Sequence, residues 1–138
     1  MTTTGGCLCG AVRFEVDGPL RDVIVCHCSL CRRAGTSAAA HSWAPRSAIR
    51  LVAGVPKVYV DVNGRERSFC STCGASLFWA FPGGEGLSIS AGALDEPPPL
   101  RVARHIFAGS AAPWESFPSH VPVYLEGSDS PLRAGDGE

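Results

Sequence analysis

Val12, Phe14 and Val16 alternate with Arg13, Glu15 and Asp17, the period of a strand with one buried face. The run Asp22–Cys28 is apolar and β-branched, which predicts a central strand leading into a cysteine loop. A short strand is predicted over 49–53. Val58, Val60 and Val62 alternate with Lys57, Tyr59 and Asp61, and Asn63-Gly64 follows. That dipeptide is the strongest local signal for a two-residue hairpin turn, with 65–70 as the returning strand.

Further strands are predicted over 75–81, 87–91, 102–107 and 121–126. Pro97-Pro98-Pro99 forbids helix and central strand and marks an exposed connection. Helical periodicity is nearly absent. One short helix is predicted from Ser29, as N-cap, to Gly35. The pattern predicts a single, mostly antiparallel β domain over 1–127. Residues 128–138 hold Gly, Ser, Asp and Pro with little apolar content and predict a disordered tail.

Composition supports that reading and narrows function. Sixteen glycines and eleven prolines in 138 residues suit short strands and tight turns. Twelve basic residues against thirteen acidic ones argue against a surface built to follow phosphates, so no nucleic acid partner is expected. No stretch approaches the ~18 apolar residues of a membrane span, and the start lacks the features of a secretory signal. A cytoplasmic protein without a membrane partner is expected, in a compartment that keeps thiols reduced.

Seven cysteines change the picture most, because an odd number cannot close a disulfide framework. They stand as Cys7-Leu8-Cys9, Cys26-His27-Cys28-Ser29-Leu30-Cys31 and Cys70-Ser71-Thr72-Cys73. In extended chain Cys7 and Cys9 face the same side. Cys70 to Cys73, followed by Gly74, has the form of a zinc knuckle. Two such pairs make a closed site of four thiolates, whose metal adds directly to folding free energy. Buried apolar cysteines and a redox pair are the alternatives.

The middle cluster supplies three sulfurs. Three protein ligands with a vacant fourth position is the arrangement of a catalytic zinc, and the vacancy suits an incoming thiolate. Arg32 and Arg33 add positive charge that favours thiolates. Two other readings stay open: His27 completes a second closed site, or the three thiols are metal-free and redox-active.

These motifs together resemble the glutathione-dependent formaldehyde-activating enzyme family, also called the centromere-protein-V-type domain. The residues that carry the resemblance are Gly6–Phe14, Cys26–Arg33 and Phe69–Gly74, with Ala91–Asp95 and His105–Trp114 downstream. The resemblance implies a β-tent of antiparallel sheets, shared with small zinc proteins that bind Rab GTPases. It implies a structural zinc on Cys7, Cys9, Cys70 and Cys73, and a second, catalytic-type zinc on Cys26, Cys28 and Cys31. The implied activity is carbon–sulfur lyase chemistry, joining a small thiol such as glutathione to formaldehyde as S-(hydroxymethyl)glutathione. A non-catalytic zinc module that engages a protein partner is the alternative. Two positions depart from the family pattern. Ala111 stands where a lysine is frequent, and Ser119-His120-Val121-Pro122 lacks the usual acidic residues. Should those positions touch substrate, this member uses a different thiol.

Outside the cysteines, His105 is a candidate general base and Trp114 a candidate pocket wall. His41 and His120 carry weaker cases. Neither a phosphate-binding Gly-rich loop nor a G-x-S-x-G elbow is present. Seven thiolates and two Zn²⁺ together lower the formal charge by three, so the chain's −1 becomes −4 in the metal-loaded form.

Overall fold

The structure, a computed structural model, describes residues 1–96 and 98–133. Its strands are β1 (Thr2–Gly6), β2 (Arg13–Asp17), β3 (Val23–Cys26), β4 (Ala39–Pro45) and β5 (Ile49–Ala53). Then follow β6 (Lys57–Val60), β7 (Glu66–Phe69), β8 (Ser76–Ala80), β9 (Gly86–Ser90) and β10 (Val102–Ile106). The one α-helix among the described residues, α1, spans Ser29–Gly35. The fold is mainly β, built of open and largely antiparallel sheets.

The described residues fall into two compact units, 1–21 with 42–100, and 22–41 with 101–133. In the first unit β2 lies between β1 and β5, with Phe14 opposite both Gly5 and Leu51. The meander β6-β7-β8-β9 is antiparallel throughout. The inward residues of these strands make the core: Val12, Phe14, Val16, Leu77, Phe78 and Ile89 are all buried. Phe14 meets Phe78 edge to face, with ring centroids 5.0 Å apart. Burial of side chains this size stabilises by about 1.5–3 kcal/mol each. Cys7 and Cys70 belong to the same cluster, so the first cysteine group is part of that core.

In the second unit β3 pairs antiparallel with the start of β4, Cys26 opposite Ala39. On its other edge β3 pairs in parallel with β10, Ile106 opposite Cys26. This parallel pair is an exception within the mostly antiparallel pairing the sequence predicts. Its effect is to place His105 and Ile106 beside the start of the middle cysteine cluster.

Several local predictions are corrected. β1 and β4 carry no hydrophobic alternation. They close instead on small buried residues, Thr3 and Gly5 in one, Ser42 and Ala44 in the other. A Cβ on Gly5 would stand 2.4 Å from the Phe14 ring, so the close approach of β1 to β2 needs glycine. The β6–β7 connection runs over 61–65 and is longer than the two-residue turn the sequence suggests. Asp61 holds it: its Oδ1 accepts from the N–H groups of Asn63 and Arg65, at 2.9 and 3.1 Å. The predicted last strand, 121–126, reduces to isolated bridges from Val123 and Tyr124, since Pro122 has no N–H to donate.

The predicted tail begins at Ser128, yet residues 128–133 are tied down. Ser128 accepts from Arg104, Leu132 bridges to Tyr124, and the Arg133 guanidinium lies 4.8 Å from the Phe117 ring centre. Residues 134–138 of that prediction, and Pro97 of the triproline connection, lie outside the described residues.

Candidate functional site

Cys7 and Cys9 lie in the turn after β1 and not in extended chain, with Gly10 N–H donating to the Cys7 carbonyl. Cys70 and Cys73 occupy the turn between β7 and β8, closed by Gly74 N–H on the Cys70 carbonyl at 2.8 Å. Gly74 has φ +80°, the left-handed backbone the knuckle form predicts. The four sulfurs all lie within 4.8 Å of one another. Cys7 and Cys9 are 3.7 Å apart, and Cys9 and Cys70 are 3.8 Å apart. A tetrahedron of sulfurs about 2.3 Å from zinc has edges of about 3.8 Å. These residues fit that ion.

Backbone donors point at the same sulfurs. Val12 N–H reaches Cys7 Sγ at 3.2 Å, and Thr72 N–H reaches Cys70 Sγ at 3.4 Å. The Val12 bond, with thiol bonds from Cys70, Cys9 and Cys73, brings Cys7 down to about 6 against the opposing effect of burial. Cys9 moves the other way, to about 11: Ala11 N–H favours its thiolate, but burial and bonds to the neighbouring sulfurs outweigh it. Four sulfurs this close cannot all ionise unless a cation sits among them.

The middle cluster joins the end of β3 to the start of α1. Cys26 closes the strand, and Cys28 is the N-cap of the helix, its Sγ accepting from Cys31 N–H at 3.3 Å. The cap was expected from Ser29. The sulfur takes that place because Cys28 has the extended backbone a cap requires. The sulfurs of Cys26, Cys28 and Cys31 lie within 4.8 Å of one another. Cys26 and Cys31 are buried and Cys28 is half-buried. Hydrogen bonds from the Cys26 and Cys31 thiols draw Cys28 far down, while Cys26, bonded to Cys28 and Cys31, is driven up. Three soft donors suit zinc with a fourth position left over.

His27 does not belong to that group. Its ring is 1% exposed and turns to β10, where its Nε2 lies 2.9 Å from His105 Nδ1. Phe117 packs against both imidazoles, with centroids 4.9 and 5.3 Å away. Burial lowers both histidines, and His27 lowers His105 further, although Glu115 pulls the opposite way. The pair is therefore neutral at neutral pH. His27 Nδ1 is buried without a hydrogen-bond partner among the described residues. An unmet acceptor costs less than an unmet N–H, so His27 carries its proton on Nε2 and donates to His105.

Sequence reasoning missed Ser37, Glu115 and Phe117. Ser37 Oγ donates a short hydrogen bond to Glu115 Oε1 and accepts one from the Trp114 indole at 2.9 Å. Trp114 itself is 67% exposed, an outward ring and not a buried wall. Arg32 and Arg33 fall in the last turn of α1, and His120 is exposed. His41 pairs across from Ile24 on β4.

Residues 2–110 match the family described as glutathione-dependent formaldehyde-activating enzyme. The chain belongs to that family. A crystal structure of a Rhodobacter sphaeroides protein is similar, with 31% identity over 70% of this chain and 91% of that one, at a TM-score of 0.59. Membership accounts for two metal-capable cysteine groups on a β-sheet frame. The family match ends at residue 110, so Trp114, Glu115 and Phe117 stand beyond it. No described helix is long and apolar enough to cross a membrane.

Proposed function

We propose that the chain is a cytoplasmic zinc-dependent enzyme of carbon–sulfur lyase type, joining a small thiol to an aldehyde. In this reading Cys7, Cys9, Cys70 and Cys73 hold a structural zinc, and Cys26, Cys28 and Cys31 hold a second one. The observation that carries it is the three-sulfur cluster with a neutral histidine pair at its edge. When bound at that cluster, zinc supplies a Lewis acid that favours the thiolate form of an incoming thiol. The residues then have separate tasks. His105, its Nδ1 occupied by the His27 proton, presents Nε2–H to the aldehyde oxygen, and the thiol proton replaces the one it gives up. The sulfur forms a bond to the aldehyde carbon as the C=O π bond breaks, and the Nε2 proton passes to the resulting alkoxide. Thiol and formaldehyde thus give the S-hydroxymethyl thiol with nothing left over.

The test is exchange NMR with ¹³C-formaldehyde and glutathione on zinc-loaded protein. Acceleration over the uncatalysed exchange, abolished in Cys28→Ser, is expected. Equal exchange with and without protein, for glutathione and simple thiols alike, would sink the enzyme reading.

One observation favours the alternative, a zinc-stabilised module that engages a protein partner. The edge strand β6 and its flanks expose Val55, Tyr59, Val60 and Val62 at 56–86%, an apolar edge of the kind partners extend by strand addition. That reading gains if two zinc ions bind and no thiol alters the metal's coordination.

A further inference from the structure

Glu115 holds a carboxylate without a cation. Its Oε1 takes the short bond from Ser37, and none of the ion pairs among the described residues includes it. The side chain is half-buried, where an uncompensated charge is costly. Its field reaches both His27 and His105. Phe117, two residues on, packs against His27, which stands between Cys26 and Cys28. Ser37 lies just past α1, which carries Cys31, so the carboxylate and the three sulfurs share one neighbourhood of the second unit.

The surroundings look built for a ligand. Trp114 is anchored by its N–H to Ser37 at 2.9 Å and is still two-thirds exposed. Ser37 follows Thr36, which has φ 75° and ψ −34°, a backbone that a β-branched residue adopts only where its surroundings enforce it. A carboxylate beside an exposed indole is the donor set for an ammonium group, by charge-assisted hydrogen bonding and by attraction to the ring face.

We infer that Glu115, braced by Ser37 and flanked by Trp114, recognises the ammonium group of an aminothiol whose sulfur goes to the Cys26–Cys28–Cys31 centre. The inference rests on the proposed thiol chemistry and names its substrate class. The amine comes from a small aminothiol or from the γ-glutamyl end of glutathione.

Calorimetry on the zinc-loaded full chain tests it with cysteamine, 2-mercaptoethanol and mercaptoacetate as cationic, neutral and anionic probes. Cysteamine should bind roughly 10-fold tighter than 2-mercaptoethanol, and mercaptoacetate more weakly than either. Glu115→Gln keeps an acceptor for Ser37 and should erase the preference for cysteamine. Ser37→Ala keeps the charge but frees it, and should reduce the preference by a few-fold; it serves as well if the first variant misfolds. A preference that survives both changes, or a wild-type preference for mercaptoacetate, overturns the assignment. Glutathione against N-acetylglutathione separates the two sources. A comparable loss on acetylation assigns the amine to glutathione, and no loss, with cysteamine still preferred, assigns it to a small aminothiol. If no thiol binds at all, the thiol chemistry itself fails and this inference falls with it. Binding without discrimination by charge removes only the role of Glu115.

Discussion

The two cysteine clusters sit in interiors of opposite kind. In the first unit Cys7 and Cys70 are members of an apolar core that includes Phe14, Leu77 and Ile89. In the second unit, Cys26 and Cys31 share their buried set with His27 and Phe117. Each unit leaves one buried ring nitrogen without a partner among the described residues, Trp79 Nε1 in the first and His27 Nδ1 in the second. The second adds the half-buried Glu115, outside the ion pairs, and the exposed Thr36 at positive φ. A core that gains its stability from packing can give all four sulfurs to a closed site. The second unit differs in setting a carboxylate and a backbone at positive φ beside its sulfurs' helix, where a ligand can use them.

The largest effect should come from removing one sulfur from each cluster. A structural zinc contributes about 10–16 kcal/mol to folding, more than the ~5–15 kcal/mol net stability of a typical domain. Cys70→Ser should therefore leave the chain without cooperative thermal unfolding. Cys28→Ser should keep it, because a serine hydroxyl caps α1 as well as the sulfur does, while bound metal falls from two ions per chain to one. Circular dichroism melts with metal analysis check both variants. Equal loss of structure in the two would erase the contrast between the units.

What was legible in the sequence follows the same division. β2 could be read from local alternation, and the Cys70 knuckle from its glycine, because each is set within a few residues. β4 was hidden because its buried positions are Ser42 and Ala44, too small to register as hydrophobic pattern. The second site was harder still. His27 meets His105 through a parallel pairing of β3 and β10, and Ser37 meets Glu115 across 78 positions. Neither contact leaves a periodic trace. The family resemblance located the three sulfurs, but the residues around them depend on chain crossings that no short motif records.

A smaller effect sharpens the comparison from the first unit, where a buried charge is fully satisfied. Asp61 accepts from two backbone N–H groups and from Arg67 Nε at 2.8 Å. Burial alone would raise its carboxyl, but Arg67 with the Arg65 and Asn63 N–H groups outweighs this and holds it below the usual range. Asp61→Asn should cost about 1–3 kcal/mol, read as a lower urea midpoint at unchanged slope. The sign of the pH dependence follows from the depressed value. The carboxylate's contribution is complete above the unfolded value of about 3.9 and is lost as pH falls through the lower folded one. The gap between wild type and variant should thus stay constant from pH 8 to 5. Narrowing inside that window would show the folded carboxyl to be raised above its unfolded value and not depressed.

The smallest effect tests strain in the second unit, with the opposite sign. Thr36 ends α1 at φ 75° and ψ −34°, close to the rare γ-turn backbone. Such a conformation costs a non-glycine residue about 1–3 kcal/mol. Thr36→Gly removes that cost, and the greater freedom of glycine in the unfolded chain returns about 0.5–1 kcal/mol of it. A net stabilisation of about 0.5–2 kcal/mol is expected in urea melts of the zinc-loaded protein. Because Ser37 is the next residue, the same change should loosen its hold on Glu115, so stability rises while the preference for a cationic thiol weakens. A variant that is less stable than wild type would show that the Thr36 side chain is held by packing worth more than the strain, and that the two interiors differ less than their backbones suggest.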